Sequence, residues 1–375
     1  MRIRAVRVNQ FRIWGVCAHG VAALQADKDS AEGKLRDMTS RGHADTARDD
    51  DGPPTIGLCA VIVATTGDAP RVLCLRGRRD LLREGERDVP DILPSGPLEP
   101  EHRTLEAGLR AWVERQTRQA LGYVEQLYTF GDRDRQAWRG RGGGRALSVA
   151  YLALVREAHT DPADAAWRDW YDFFPWEDWR SGRPAALDSI EPRLKDWAQA
   201  GATAVTRALR EERIGLVFGF GRERWDEERA LERYELLYEA RLLPEAWRDA
   251  GEEMPPADEL APGRVMALDY RRILATAIGR LRGKIKYRPV VFELLPPTFT
   301  LLQLQRTVEA LAGLCLHKSN FRRLVESQGL VEETGETSVE TGGRPARLVQ
   351  FRRDVLLERP APGVRPGTTR RPAAP

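Results

Sequence analysis

Phe299-Thr-Leu-Leu-Gln-Leu-Gln-Arg-Thr-Val-Glu-Ala-Leu-Ala-Gly-Leu-Cys-Leu-His-Lys-Ser-Asn-Phe-Arg-Arg-Leu-Val-Glu-Ser-Gln328 reads as two short helices joined by a tight turn. Thr300 is placed to cap the first, because a hydroxyl can accept from the free N–H groups of an opening turn. Leu301, Leu304, Val308 and Leu311 recur at three- and four-residue spacing and form its apolar stripe. Gly313 ends it, and Leu314-Cys-Leu316 makes the turn. In the second helix, His317 to Gln328, the apolar residues are Phe321, Leu324 and Val325, and Lys318, Ser319, Asn320, Arg322 and Arg323 crowd the start. In a helix-turn-helix of this kind the second helix enters the major groove of duplex DNA, and its first residues meet base edges. Arg and Lys suit guanine acceptors, and Asn suits adenine.

The flanking sequence extends this unit. Leu330-Val-Glu-Glu-Thr334 and Ala346-Arg-Leu-Val-Gln-Phe351 can pair as a hairpin around Gly342-Gly-Arg-Pro345, which makes a wing. Arg344 at its tip could reach phosphate or the minor groove. Upstream, Asp269 to Gly283 predicts an amphipathic helix with Ile273, Ala277, Ile278 and Leu281 inward and Arg271, Arg272, Arg280 and Arg282 toward solvent. The net charge of +3 conceals an asymmetry. Residues 269–353 carry 15 Lys and Arg against 8 Asp and Glu, whereas residues 156–268 carry 16 against 25. A basic module behind an acidic one suits DNA, since phosphate contacts supply most non-specific affinity. The expected DNA contacts are Lys284, Lys286, Arg288, Lys318, Ser319, Asn320, Arg322, Arg323, Arg344 and Arg347. A winged helix that binds protein instead is the competing reading, and the basic cluster at the start of the second helix argues against it.

The chain of 375 residues is long enough for two or three domains. Residues 1–54 have weak periodicity and end in Asp49-Asp-Asp-Gly-Pro-Pro54. They read as a disordered extension, or as the product of an upstream start codon with Met38 as the true start. Gly57 to Ala64 and Arg71 to Leu75 read as paired strands across the turn Thr65-Thr-Gly-Asp68, and Leu93-Pro-Ser-Gly-Pro97 as a loop. A helix over Thr104 to Gln119 precedes strands over Val124–Phe130 and Leu147–Leu154, joined by the Gly-rich Arg139–Arg145. Residues 55–157 are therefore expected to be an α/β domain. Residues 158–263 form a Trp-rich acidic helical extension, whose tryptophans read as packing, ending in a linker from Glu252 to Gly263 that carries Pro255, Pro256 and Pro262. Residues 264–356 are the winged helix-turn-helix, and 357–375 a disordered tail. Cys17, Cys59, Cys74 and Cys315 form no CxxC pair and, with five scattered histidines, no metal-ligand spacing. This cysteine usage fits a reducing, cytoplasmic compartment, and no apolar run approaches the roughly 18 residues of a membrane span.

Three stretches together resemble the Nudix-related transcriptional regulators of NAD metabolism, the NrtR group, and especially its NadQ branch. They are Tyr123-Val-Glu-Gln-Leu-Tyr-Thr-Phe-Gly-Asp132, Trp170-Tyr-Asp-Phe-Phe-Pro-Trp-Glu-Asp-Trp179, and the span from Leu281-Arg-Gly-Lys-Ile-Lys-Tyr-Arg-Pro289 through Phe292-Glu-Leu-Leu295 and Asn320-Phe-Arg-Arg323 to Gly342-Gly-Arg-Pro345. The resemblance implies a Nudix α/β/α sandwich, a helical extension and a winged helix. It also implies a homodimeric repressor of NAD synthesis or salvage genes that senses ADP-ribose, NAD or ATP and requires no cofactor. Expected phosphate contacts are Arg76, Arg78, Arg79, Arg133 and Arg135.

Catalytic Nudix enzymes carry G-x5-E-x7-R-E-U-x-E-E-x-G-U, whose clustered glutamates hold Mg²⁺ against a pyrophosphate. In this chain the box begins with Gly96, and His102 stands where its first Glu should be. Aligned back from Glu125-Gln-Leu-Tyr128, the Arg-Glu pair falls on Ala111-Trp112, the Glu-Glu pair on Arg115-Gln116 and the glycine on Arg118. A one-residue slide restores only Arg110 and Glu114. Hydrolysis is therefore expected to be lost. The alternative is an active pyrophosphatase on ADP-ribose or NADH that recruits Glu99, Glu101, Glu106 and Glu114.

Overall fold

The computed structural model describes residues 55–77, 90–131, 146–157, 165–221, 223–338, 345–358 and 363–364. The run from Leu58 to Ala64 contains no charged residue and is buried throughout. That is what a central strand covered on both faces requires. It forms most of β1 (Thr55–Thr66), which turns at Gly67 into β2 (Ala69–Arg76). The other strands of this sheet are β3 (Asp91–Ile92), β4 (Ser95–Pro97), β5 (Tyr123–Phe130), β6 (Ala146–Leu154) and β7 (Ala165–Asp169). The main path runs β3-β2-β1-β6-β5, with β4 on β1 and β7 on β2. The β1–β6 pair is parallel and the other pairs are antiparallel.

Alternation along β1 sorts its side chains between two layers. Leu58, Ala60, Ile62 and Ala64 meet Leu109 and Val113 of α1 (Leu105–Thr117) on one face. Cys59, Val61 and Val63 belong to the larger core on the other face, with Trp170, Phe173, Phe174 and Trp176. Helices therefore cover both faces, and the expected α/β/α sandwich is present. Thr104 caps α1 by accepting from Ala107 N at 3.1 Å. Arg118 itself takes the left-handed cap conformation, with φ 54°. Arg118 thus holds, without being glycine, the backbone conformation that a helix-ending glycine favours.

Beyond β7 come the short α2 (Trp170–Phe173), then α3 (Ala186–Gln199), α4 (Ala204–Phe218), α5 (Ala230–Glu239) and α6 (Pro244–Ala250). Next are α7 (Tyr270–Ile285), β8 (Thr298–Thr300), α8 (Leu301–Ala312), α9 (Lys318–Ser327), β9 (Val331–Ser338), β10 (Ala346–Phe351) and α10 (Val355–Glu358). A second sheet, β8-β10-β9, carries the wing. The pairing of β9 with β10 is the expected hairpin, and β8 adds a third strand.

Several expected boundaries are corrected. β7 pairs with β2, so the sheet reaches past residue 157. Leu93–Pro97 is not all loop, because Ser95–Pro97 pairs with β1. The Pro-rich segment 252–263 is packed at its end: Leu260 and Ala261 are buried, and Ala261 N donates to Leu242 O at 2.8 Å. The tail is ordered in part, since 357–358 lie in α10 and Val364 is buried with its N–H on Ile285 O at 2.8 Å. α7 packs on β1 and β5, and α8 on β2. The sheet and the winged helix therefore share one apolar core. Residues 1–54 and the Gly-rich 139–145 lie outside the described residues.

Candidate nucleic-acid interface and nucleotide domain

Thr300 and Gln303 close a reciprocal capping box at the start of α8, which fixes where the helix-turn-helix begins. Leu304, Val308 and Leu311 are buried as the stripe predicts. The turn is held by side chains of α8. Glu309 Oε1 accepts from Leu316 N at 2.7 Å, and Gln305 Nε2 donates to Leu316 O at 2.9 Å. α9 then seats Phe321 and Val325 in the core and leaves Lys318, Ser319, Asn320, Arg322 and Arg323 exposed together. Arg323 donates to Asn320 Oδ1 at 3.2 Å, and Arg322 pairs with Glu326 at 2.7 Å. Arg347 is exposed on β10 and pairs with Glu333 at 2.6 Å. Arg288 is exposed beyond α7. Arg344 lies outside the described residues.

Two other expected contacts are engaged within the chain. Lys284 meets the carboxylate of Glu125 and donates to Tyr123 Oη at 2.8 Å, so it ties α7 to β5. Burial, with Arg288 nearby, pulls its pKa below the usual lysine value. Lys286 pairs with Glu227 and Glu228, both at 2.6 Å. Burial alone would lower its pKa, but these carboxylates outweigh that and hold it above the usual value. Both lysines are half-buried, unlike the exposed cluster on α9. The expectation that Arg271 and Arg282 face solvent is also corrected, because both are buried.

Arg282 shows why. Glu177, in the Trp-rich segment, is fully buried and bridges Arg233 of α5 and Arg282 of α7. Arg282 Nε also donates to Leu311 O at 2.9 Å, at the end of α8. Tyr171 Oη donates to Ala310 O at 2.7 Å, and Trp179 N to Gly313 O at 2.8 Å. The Trp-rich segment thus grips the first helix of the helix-turn-helix and its turn. A buried carboxylate among aromatic residues needs compensating partners, and that was the available sequence signal for this anchor.

Gly313 sits inside this contact with φ +69°, and an added Cβ would press on Glu177 O and lie 2.8 Å from Tyr171 Oη and 3.0 Å from Arg282 Nη2. Gly313→Ala is expected to cost about 2–4 kcal/mol from left-handed strain plus overpacking. Thermal melts should show a clear drop in Tm, and an unchanged Tm would contradict this packing.

On the sheet side, Arg76 is exposed at the end of β2. Arg78, Arg79, Arg133 and Arg135 fall outside the described residues, so the expected phosphate contacts are not brought together among those that are described. At the box positions, Trp112 lies against Gly96 and its Nε1 donates to Pro97 O at 2.8 Å. Gln116 Oε1 accepts from Ser95 N at 3.1 Å, and Gln116 Nε2 donates to Ser95 O at 2.9 Å. Arg115 lies 4.5 Å over the Trp112 ring. Mg²⁺ asks for oxygen ligands in near-octahedral array, and this set does not fit it. Among the described residues no three His, Cys, Asp or Glu side chains gather in a metal-holding group. Nor is any described helix long and apolar enough to cross a membrane.

Residues 291–351 match the NrtR DNA-binding winged helix domain. An 86-residue stretch is 40% identical to the ADPR responsive transcriptional repressor NtrR of Acinetobacter baylyi. That stretch is 23% of this chain and spans 34% of the repressor's length. Among solved structures, Shewanella oneidensis NrtR complexed with a 27mer DNA aligns over 80% of this chain and 94% of its own, at 20% identity and TM-score 0.46. A MutT/nudix family protein from Enterococcus faecalis aligns over 80% and 87%, at 15% identity and TM-score 0.44. The match to the NrtR DNA-binding winged helix domain is thus confined to residues 291–351, the part of the chain that holds the helix-turn-helix and its wing.

Proposed function

We propose that the chain is a transcriptional repressor that binds an operator in duplex DNA and senses ADP-ribose, or a related adenine nucleotide such as NAD or ATP, through its sheet domain. The observation that carries this reading is the exposed Lys318, Ser319, Asn320, Arg322 and Arg323 cluster on α9, inside the stretch that matches the NrtR DNA-binding winged helix domain. The name of the A. baylyi relative supports ADP-ribose as the effector. Arg288, Arg344 and Arg347 would add backbone or groove contacts, whereas Lys284 and Lys286 are left out because they are half-buried as well as held by carboxylates of this chain. Arg76, with Arg78, Arg79, Arg133 and Arg135, would meet the nucleotide's phosphates. A homodimer would let two copies of α9 read paired half-sites. The target genes would be those of NAD synthesis or salvage, and the protein would act in the cytoplasm.

The reading is of a regulator rather than a hydrolase, because Trp112, Arg115 and Gln116 stand at the positions where pyrophosphatase chemistry needs carboxylates. Selection of genomic fragments by the purified chain, followed by footprinting, tests the proposal. A protected, twofold-related sequence upstream of NAD-metabolism genes is expected. Retention of fragments with no common sequence would contradict it.

A further inference from the structure

The side chains around α1 and β4 are bonded in a way that closes the place of a cation site. The Trp112 indole covers Gly96 so closely that a Cβ there would collide with the ring, and its Nε1 is anchored on Pro97 O. The one side-chain oxygen of Gln116 is occupied by Ser95 N–H, and its amide N–H by Ser95 O. Arg115 rests on the Trp112 face and lies 3.8 Å from Glu99. Glu99 also lies 3.4 Å from His102 Nε2, and its backbone N–H donates to His102 Nδ1 at 3.1 Å. Glu106 is paired with Arg110 at 2.8 Å. Glu101 and Glu114 are exposed. An indole offers no oxygen, a neutral amide held by two backbone bonds brings no negative charge to a cation, and a guanidinium carries the wrong charge for a metal ligand.

We infer that Trp112, Arg115 and Gln116 form a latch that replaces the cation site, so that the sheet domain engages its nucleotide without a divalent cation. This rests on the nucleotide-sensing reading above. A diphosphate bound through Mg²⁺ has its charge neutralised by the ion. In this chain positive charge is built in as a guanidinium, oriented in advance by the aromatic face beneath it. Gly96 keeps its place because the indole needs the space. The consequence is regulatory: the response follows nucleotide concentration and is not gated by free Mg²⁺.

Isothermal titration of the full chain tests this in two arms. With Mn²⁺ alone as probe, no saturable binding is expected. With ADP-ribose, affinities in excess EDTA and in excess Mg²⁺ are expected to agree within about twofold, well under the tenfold step of 1.4 kcal/mol. The variant Trp112→Glu/Arg115→Glu/Gln116→Glu should gain Mn²⁺ binding if it folds, and the unaltered chain decides the matter if it does not. Saturable Mn²⁺ binding by the unaltered chain, or loss of ADP-ribose binding in EDTA alone, overturns the inference. If ADP-ribose binds in neither condition while duplex DNA still binds, the nucleotide reading fails, and the Mn²⁺ arm judges the latch by itself.

Discussion

Glu177→Ala should destabilise this chain by about 3–5 kcal/mol, the cost of breaking a buried ion pair from one side. The carboxylate has no exposed surface and is met by two guanidiniums that are equally buried. Arg233 reaches it at 2.5 and 2.9 Å, and Arg282 at 2.5 Å. Without it, both cations keep hydrogen bonds to carbonyls of Val217, Asp226 and Leu311 but lose their counter-charge. Native stabilities of roughly 5–15 kcal/mol leave little margin for such a loss. Denaturant melts should show a large fall in midpoint, and a change near zero would contradict the account of this anchor.

The same group predicts a pH dependence. Burial raises the Glu177 pKa, but Arg233 and Arg282 outweigh burial and hold it below the ordinary carboxylate value. A depressed folded-state pKa stabilises the fold above the unfolded value of about 4.3, and that stability is lost as pH falls through the lower folded value. Tm measured from neutral pH downward should therefore fall in the acid range, and Glu177→Gln should flatten that part of the curve.

Lys318→Ala combined with Arg323→Ala should reduce operator affinity by about 10²–10³-fold, because each base or phosphate contact of this kind carries roughly 1–3 kcal/mol. Both side chains are exposed on the first two turns of α9, and their removal leaves the buried Phe321 and Val325 in place. The Tm should hardly move while affinity collapses. Asn320→Ala should instead relax preference among operator variants, and Arg344→Ala should weaken binding evenly and lower the salt slope. Parent-like operator binding by the Lys318→Ala/Arg323→Ala and Asn320→Ala variants would show that α9 does not face DNA.

The helix-turn-helix was legible because its signals are local: a capping threonine, a leucine stripe, and a glycine whose left-handed backbone the turn requires. The central strands were legible because β1 and β6 are apolar on both faces. α7 was misjudged because a helical wheel sends arginine to solvent, and that rule fails for a helix enclosed by the sheet, α5 and α8. Leu274 and Ala275, apolar beyond the predicted stripe and both buried, were the warning. Nothing local announced that Glu177 would find Arg233 and Arg282, 56 and 105 residues away. β4 and β8 are three residues each, too short for alternation to register. The loss of the box carboxylates was visible in sequence, but the bonds of Trp112 and Gln116 to β4 required coordinates.

The most direct test is fluorescence anisotropy of the full chain on labelled duplexes from NAD-biosynthesis promoters, at two salt concentrations, with and without ADP-ribose, NAD and ATP. Selective binding that weakens with salt and is changed by one nucleotide is the predicted result. Binding that is unselective, or that no nucleotide alters, would contradict a ligand-responsive repressor.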